Sequence, residues 1–116
     1  MHEVALAEGI LETVLKEAAC QGRGRIVEVR VRVGTMTHVA PESLRFAFEV
    51  LARDTRAAGA RLAVEAVAPR VRCRICGRES AAQAHRLVCA ACGDDRVELI
   101  AGADLQVESF DMEVEE

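Results

Sequence analysis

The chain has 116 residues, of which 51% are hydrophobic and 3% aromatic, and its formal net charge is −4. This length suits one domain with a modest core, and no apolar run approaches the roughly 18 residues that a membrane-spanning helix needs. The N-terminus lacks a basic region followed by a hydrophobic stretch. We therefore expect a cytoplasmic protein that neither enters a membrane nor is secreted.

Two helices and one clear strand are predicted in the first half of the chain. A stripe of apolar residues at helical spacing predicts an amphipathic helix over residues 4–19, ended by Gly22 and Gly24. Valines that alternate with charged residues predict a strand over 27–33 with one buried face. Pro41 suits the first position of a helix, and the apolar spacing that follows predicts a second helix over 41–53.

Two further strands are predicted in the second half. One lies near 61–68, after a turn at 57–59, and Pro69 marks the entrance to the segment that follows it. In the last segment the apolar alternation changes parity between Val107 and Phe110, which predicts a bulge or a bend in a strand.

Four cysteines form two CxxC pairs separated by 12 residues: Cys73 and Cys76, then Cys89 and Cys92. Two residues between thiols allow a tight turn that directs both sulfurs at one point, and the glycine after each pair can adopt a left-handed conformation. The spacing predicts a four-thiolate zinc site, with redox thiols or disulfides as alternatives. Because protein sulfur fills all four positions, we expect the zinc to be structural.

The fold class predicted from this organisation is α+β. A small mixed β-sheet covered by two helices forms the body, in residues 1–69 and 99–116, and the four-cysteine zinc module is inserted as a domain over 70–98. Cys20 lies near the end of the first predicted helix and is interpreted as a small apolar residue.

The charge and composition of the zinc module argue against a nucleic-acid partner. Six arginines and three acidic residues lie between Arg70 and Arg96, but four thiolates and one Zn²⁺ reduce the excess positive charge to about +1. The chain contains three Phe and no Tyr or Trp, which leaves few side chains on which bases could stack. A zinc-ribbon adaptor that binds nucleic acid or protein is therefore only the alternative interpretation.

No catalytic constellation is evident. Ser43, Ser80 and Ser109 lack the context of an activated nucleophile, and the sequence contains no phosphate-binding loop. We therefore expect a protein that is not an enzyme.

Several motifs together resemble the hydrogenase nickel incorporation family, HypA/HybF. They are the Met1-His2-Glu3 start, Glu8-Gly9 in the first helix, Gly34 after the strand, the Pro41–Glu49 stretch and the two CxxCG pairs. The resemblance implies a metallochaperone that binds nickel through its N-terminus and His2 and holds zinc in the cysteine module. It also implies delivery of nickel to the large subunit of [NiFe]-hydrogenase, together with a GTP-hydrolysing nickel accessory protein.

The residues at the N-terminus are chemically suited to nickel. The α-amine of Met1, the backbone nitrogen of His2 and its imidazole can form adjacent chelate rings, and nitrogen donors in a square plane suit Ni(II) or Cu(II). Glu3 could add its backbone nitrogen or tune the site with its carboxylate. The alternatives are a solvated terminal histidine and a glutamate that favours the positive end of the helix dipole.

The other two histidines have simpler interpretations. His38 is predicted to be a polar loop residue, and His85 to be exposed in the loop between the cysteine pairs. Imidazole can bind zinc, so His85 could also replace a cysteine in an alternative coordination state.

Overall fold

The computed structural model describes residues 2–114, which confirm the predicted α+β class. Two helices, a short 3₁₀ turn and six strands follow one another along the chain. In chain order they are α1 (His2–Ala19), β1 (Gly24–Gly34), the 3₁₀ turn (Thr35–Thr37), α2 (Pro41–Ala52), β2 (Arg61–Val67), β3 (Arg70–Cys73), β4 (Glu79–Ala81), β5 (Val97–Ala101) and β6 (Leu105–Val114).

The helices bury one face each, at the spacing that the sequence predicts. The buried residues recur every three or four positions, so that they lie on one side of each helix. Helix α2 begins with Pro41 at its first turn, where a missing N–H costs no hydrogen bond. The buried residues are Ala7, Ile10, Leu11, Val14 and Ala18 in α1, and Leu44, Ala47, Phe48 and Ala52 in α2.

Strand β1 is the middle strand of a three-stranded sheet with the order β2-β1-β6. Val29, Val31 and Val33 are buried as predicted, but Ile26 and not Val27 is buried near the start of the strand. The alternation therefore changes parity between Ile26 and Val29, which a simple two-residue period does not predict.

Strand β6 shows the predicted change of parity. Leu105, Val107 and Ser109 are half-buried, and from Phe110 onward the half-buried positions are Phe110 and Met112. The strand stays continuous across this change. Leu105, Val107, Phe110 and Met112 are thus partly covered within one strand, whereas Val114 is exposed.

A second three-stranded sheet has the order β4-β3-β5 and both of its pairings are antiparallel. Val71 pairs with Ser80 on one side and with Leu99 on the other. The sequence did not predict this sheet, because strands of three to five residues are too short to show a periodic pattern.

The chain divides into two compact units. One comprises Val39–Val64 together with the chain up to Val31 and from Val107 onward, and it contains both helices. The other comprises Arg32–His38 and Glu65–Gln106, and it contains all four paired cysteines. The predicted zinc domain over 70–98 lies within this second unit, and its boundaries stay a prediction. No helix within residues 2–114 is long and apolar enough to cross a membrane.

Candidate metal sites

The first cysteine pair lies in a tight turn that follows strand β3. The N–H of Cys73 donates to the carbonyl of Arg78 at 2.9 Å, and the N–H of Gly77 donates back to the carbonyl of Cys73 at 3.0 Å. Gly77 has a φ of 77°, in the left-handed region that favours glycine. The glycine therefore closes the turn that aims the two thiols at one point.

The second pair repeats this geometry. The N–H of Cys89 donates to the carbonyl of Asp94 at 2.9 Å, and the N–H of Gly93 donates to the carbonyl of Cys89 at 2.8 Å. Gly93 also has a φ of 77°. The CxxCG spacing thus produces the same backbone turn twice, as the sequence predicts.

The four sulfur atoms form one cluster. All of them lie within 4.8 Å of one another, and the distances are 3.7 Å between the Sγ atoms of Cys73 and Cys92 and 3.6 Å between those of Cys76 and Cys89. Zn–S bonds of about 2.3 Å in a tetrahedron place neighbouring sulfurs about 3.8 Å apart. The donor set and its spacing therefore fit a structural zinc site.

Backbone amides prepare the first cysteine of each pair for metal binding. The N–H groups of Cys76 and Ile75 each donate to the Sγ of Cys73 at 3.4 Å, and chiefly the first of them lowers the pKa of Cys73. The N–H of Cys92 is the main cause that lowers the pKa of Cys89, to about 6. A thiolate accepts such hydrogen bonds better than a thiol does.

The pKa of Cys92 shifts in the opposite direction. The N–H of Asp94 lowers its pKa, but the neighbouring thiols of Cys73, Cys89 and Cys76, with some loss of solvent around the sulfur, outweigh that effect and raise the pKa of Cys92 to about 11. Cys73 and Cys89 are buried, whereas Cys76 and Cys92 are exposed. A raised pKa favours the protonated thiol, so metal binding must displace the proton of Cys92.

The predicted nickel residues lie at the start of α1. His2 is exposed in the first turn of the helix, and Glu3 is half-buried. The carboxylate of Glu3 accepts from the N–H of Ala40 at 3.4 Å, and the pKa of Glu3 is lowered first by its own N–H and then by that of Ala40. Met1, the third predicted residue, lies outside the described residues.

The remaining histidines lie outside the cysteine cluster. Both are exposed, as predicted, and His38 has the left-handed φ of 58° at the end of the 3₁₀ turn. Within residues 2–114, the four cysteines are the only group of three or more His, Cys, Asp and Glu side chains close enough to share a metal ion. The structure therefore gives no support to a cluster in which His85 takes part.

The structure also shows an apolar groove between α1 and α2 that the sequence did not predict. Phe46 is 67% exposed and lines this groove together with Val4 and Val50. The sequence did carry a signal, because Phe46 lies off the core stripe formed by Leu44, Ala47 and Phe48.

Comparison with known proteins identifies the family of the chain. The family model described as "Hydrogenase/urease nickel incorporation, metallochaperone, hypA" matches residues 1–112. The chain belongs to the HypA family. Among HypA relatives, the hydrogenase maturation factor HypA of Chlorobaculum tepidum is 39% identical over 97% of this chain and its own full length. That of Synechococcus elongatus is 38% identical over 97% of this chain and 99% of its own.

The fold of the chain is also that of a solved HypA structure. The solution structure of the Ni metallochaperone HypA from Helicobacter pylori superposes with a TM-score of 0.73 and covers 99% of this chain and all of its own. Sequence identity between the two is 20%, so this likeness concerns the fold alone. The resemblance to HypA inferred from the sequence motifs is confirmed by the family match.

Proposed function

We propose that this protein binds one Ni(II) at Met1, His2 and Glu3 and delivers it during the maturation of [NiFe]-hydrogenase. The observation that carries this proposal is the position of His2, exposed in the first turn of α1. The first N–H groups of a helix have no carbonyl partner within the helix. A backbone nitrogen can therefore be recruited as a ligand there without breaking a helical hydrogen bond.

The donor set suits the cargo. The α-amine of Met1 with the backbone nitrogen and imidazole of His2 supply three nitrogens, and nitrogen donors in a square plane favour Ni(II). The nitrogen or the carboxylate of Glu3 supplies the fourth position. Each nitrogen that carries an ionisable proton must lose it before it coordinates, so acid releases nickel.

We propose Cys73, Cys76, Cys89 and Cys92 as the ligands of a structural zinc ion. Four thiolates leave no open coordination position, so this metal orders the chain and takes no part in a reaction. The two metals then have separate roles, since zinc holds the second unit and nickel is the cargo of the first.

The partners follow from this role. We propose that a GTP-hydrolysing nickel accessory protein and the large subunit of [NiFe]-hydrogenase bind this chain, and that it carries nickel without catalysing a reaction itself. Nucleic acid has no part in the proposal. A cytoplasmic location is consistent with a cluster of reduced thiolates, which need a reducing compartment.

Nickel titration of the zinc-loaded protein tests the proposal. His2→Ala should abolish stoichiometric nickel binding and leave the zinc content unchanged. The matched control is His85→Ala, which removes an exposed histidine from the loop between the cysteine pairs and should preserve both metals. Retention of one tightly bound nickel by His2→Ala would refute the proposed site.

A further inference from the structure

The face between α1 and α2 carries an open groove with a volume of about 500 Å³. Phe46 is 67% exposed, Val4 41% and Val50 38%, and all three line the groove. Phe48, two positions beyond Phe46, is fully buried. The chain thus places one aromatic ring in its core and leaves another in solvent beside two valines.

The exposed residues of α2 follow a regular spacing. Glu42, Phe46 and Val50 lie four residues apart and all line the groove, so one stripe of the helix forms its wall. The lining part of α2 extends from Glu42 to Leu51, which is about 14 Å along the helix axis. A wall of this length accommodates about two and a half turns of a second helix lying in the groove.

The charge of the groove has one sign. Glu3 and Glu42 are the charged residues among those that line it, and no Lys or Arg is among them. The other surface positions of the two helices add four carboxylates and two cations, so the acidic excess remains: Glu8, Glu12, Glu17 and Glu49 against Lys16 and Arg45. Phosphate groups of nucleic acids or anionic lipids would be repelled here, whereas a positively charged partner would be attracted.

We propose that this groove binds an amphipathic helix of a partner protein that carries apolar anchors at i, i+3 or i+4 and i+7 and Lys or Arg beside them. The apolar anchors cover Phe46, Val4 and Val50, and a basic residue pairs with the carboxylate of Glu42. Helix-in-groove recognition uses this combination of spaced anchors and flanking charge. The inference stands on the groove geometry and does not depend on nickel.

A pair of synthetic helices tests the proposal. A fluorescein-labelled amphipathic peptide of Leu and Lys should bind the full-length, zinc-loaded protein in fluorescence anisotropy titrations. A peptide of the same pattern with Glu in place of Lys should bind at least tenfold more weakly. Phe46→Ser should weaken the Leu/Lys peptide about tenfold or more, and Glu42→Gln should weaken it severalfold at low salt.

Matched variants distinguish binding in the groove from non-specific binding to other exposed apolar or acidic side chains. Val114→Ser removes another apolar side chain that is 59% exposed, and Glu12→Gln removes a helix carboxylate that does not line the groove. Both should bind the Leu/Lys peptide as the wild type does. Val50→Ser, a second variant in the groove, should also weaken binding of the Leu/Lys peptide. Circular dichroism checks that each variant is folded.

Three outcomes would overturn the proposal. They are equal binding by Phe46→Ser and wild type, equal binding of the two peptides, and a wild-type dimer that Phe46→Ser converts to monomer. The last outcome would assign the groove to a second copy of this chain. Nickel titration of Phe46→Ser should match the wild type, so a failure of the nickel site and a failure of the groove can be told apart.

Discussion

At the scale of single residues, Gly102 occupies a position where any side chain would clash with the neighbouring backbone. Its φ is 93°, and a Cβ built there would lie 2.7 Å from the Cα of Pro69. Gly102 lies between β5 and β6, Gly34 at the end of β1 packs against its backbone, and Met36 donates its N–H to the carbonyl of Gly102 at 3.0 Å. Close backbone approach and backbone conformation thus both require glycine here.

We predict that Gly102→Ala lowers the free energy of unfolding by roughly 2 to 4 kcal/mol, through a left-handed backbone and overpacking. Gly9→Ala is the matched control, because Gly9 is exposed in α1 and a Cβ there meets nothing within 4 Å. It should stabilise the protein by about 0.5 to 1 kcal/mol. Denaturant unfolding measures both, and equal effects of the two substitutions would contradict the packing argument.

A second residue-scale prediction concerns pH. The guanidinium of Arg30 makes two hydrogen bonds to the carboxylate of Asp111, at 2.8 and 3.0 Å, and these lower the pKa of Asp111. A carboxyl with a lowered folded pKa stabilises the fold above its unfolded pKa of about 3.9, and this stabilisation is lost as the pH falls through the folded value.

Asp111→Asn should therefore lower the melting temperature at about pH 7, and the difference from wild type should shrink toward about pH 3. Glu113→Gln, an exposed carboxylate on the same strand, is the control and should show a smaller difference at pH 7. A difference that stayed constant over this range would mean that the Arg30 pair does not link stability to pH.

At the scale of elements, the zinc module has little apolar material of its own. Between residues 70 and 98 the buried hydrophobic residues are Val71, Cys73 and Cys89, and two of these are candidate ligands. Structural zinc supplies about 10 to 16 kcal/mol of apparent binding free energy in small modules. The metal therefore outweighs burial in ordering this part of the chain.

Zinc removal or Cys92→Ala should abolish amide protection over residues 70–98, while α1 and α2 keep theirs because they bury their own apolar faces. Cys20→Ala, which removes an exposed cysteine outside the cluster, should leave the protection pattern unchanged. Hydrogen exchange measures this directly. Full protection of residues 70–98 in the metal-free protein would contradict the account.

The elements also show which parts of the fold can be predicted from the sequence. Both helices, strand β1 and the two cysteine turns were predictable, because each rests on a local pattern of apolar spacing or of glycine position. The sheet formed by β3, β4 and β5 was not, because its strands are too short to show a periodic pattern and β3 pairs with β5 across both cysteine turns. The groove was missed for a similar reason, since Val4 and Phe46 meet only when α1 packs on α2.

At the scale of the whole molecule, the two units carry different metals in this account. The helical unit contains His2 and Glu3, and the other contains the four cysteines. Damage to one site should therefore leave the metal content of the other intact. The clustering of the four cysteines was predictable from their spacing. The nickel ligands rest on the family resemblance and on the chemistry of the N-terminal residues, and they stay a proposal.

The central claim is that nickel binds at the free N-terminus, independently of zinc. The most direct measurement compares the nickel and zinc content of three proteins: the native chain, a chain extended by a short Gly-Ser segment before Met1, and one with the same segment after Glu116. An N-terminal extension converts the amine of Met1 into an amide while His2 remains, so nickel should be lost and zinc retained. The C-terminal extension should keep both metals. If the N-terminally extended protein binds one nickel with unchanged affinity and a diamagnetic, square-planar spectrum, the amine is not a ligand and the site is wrongly assigned.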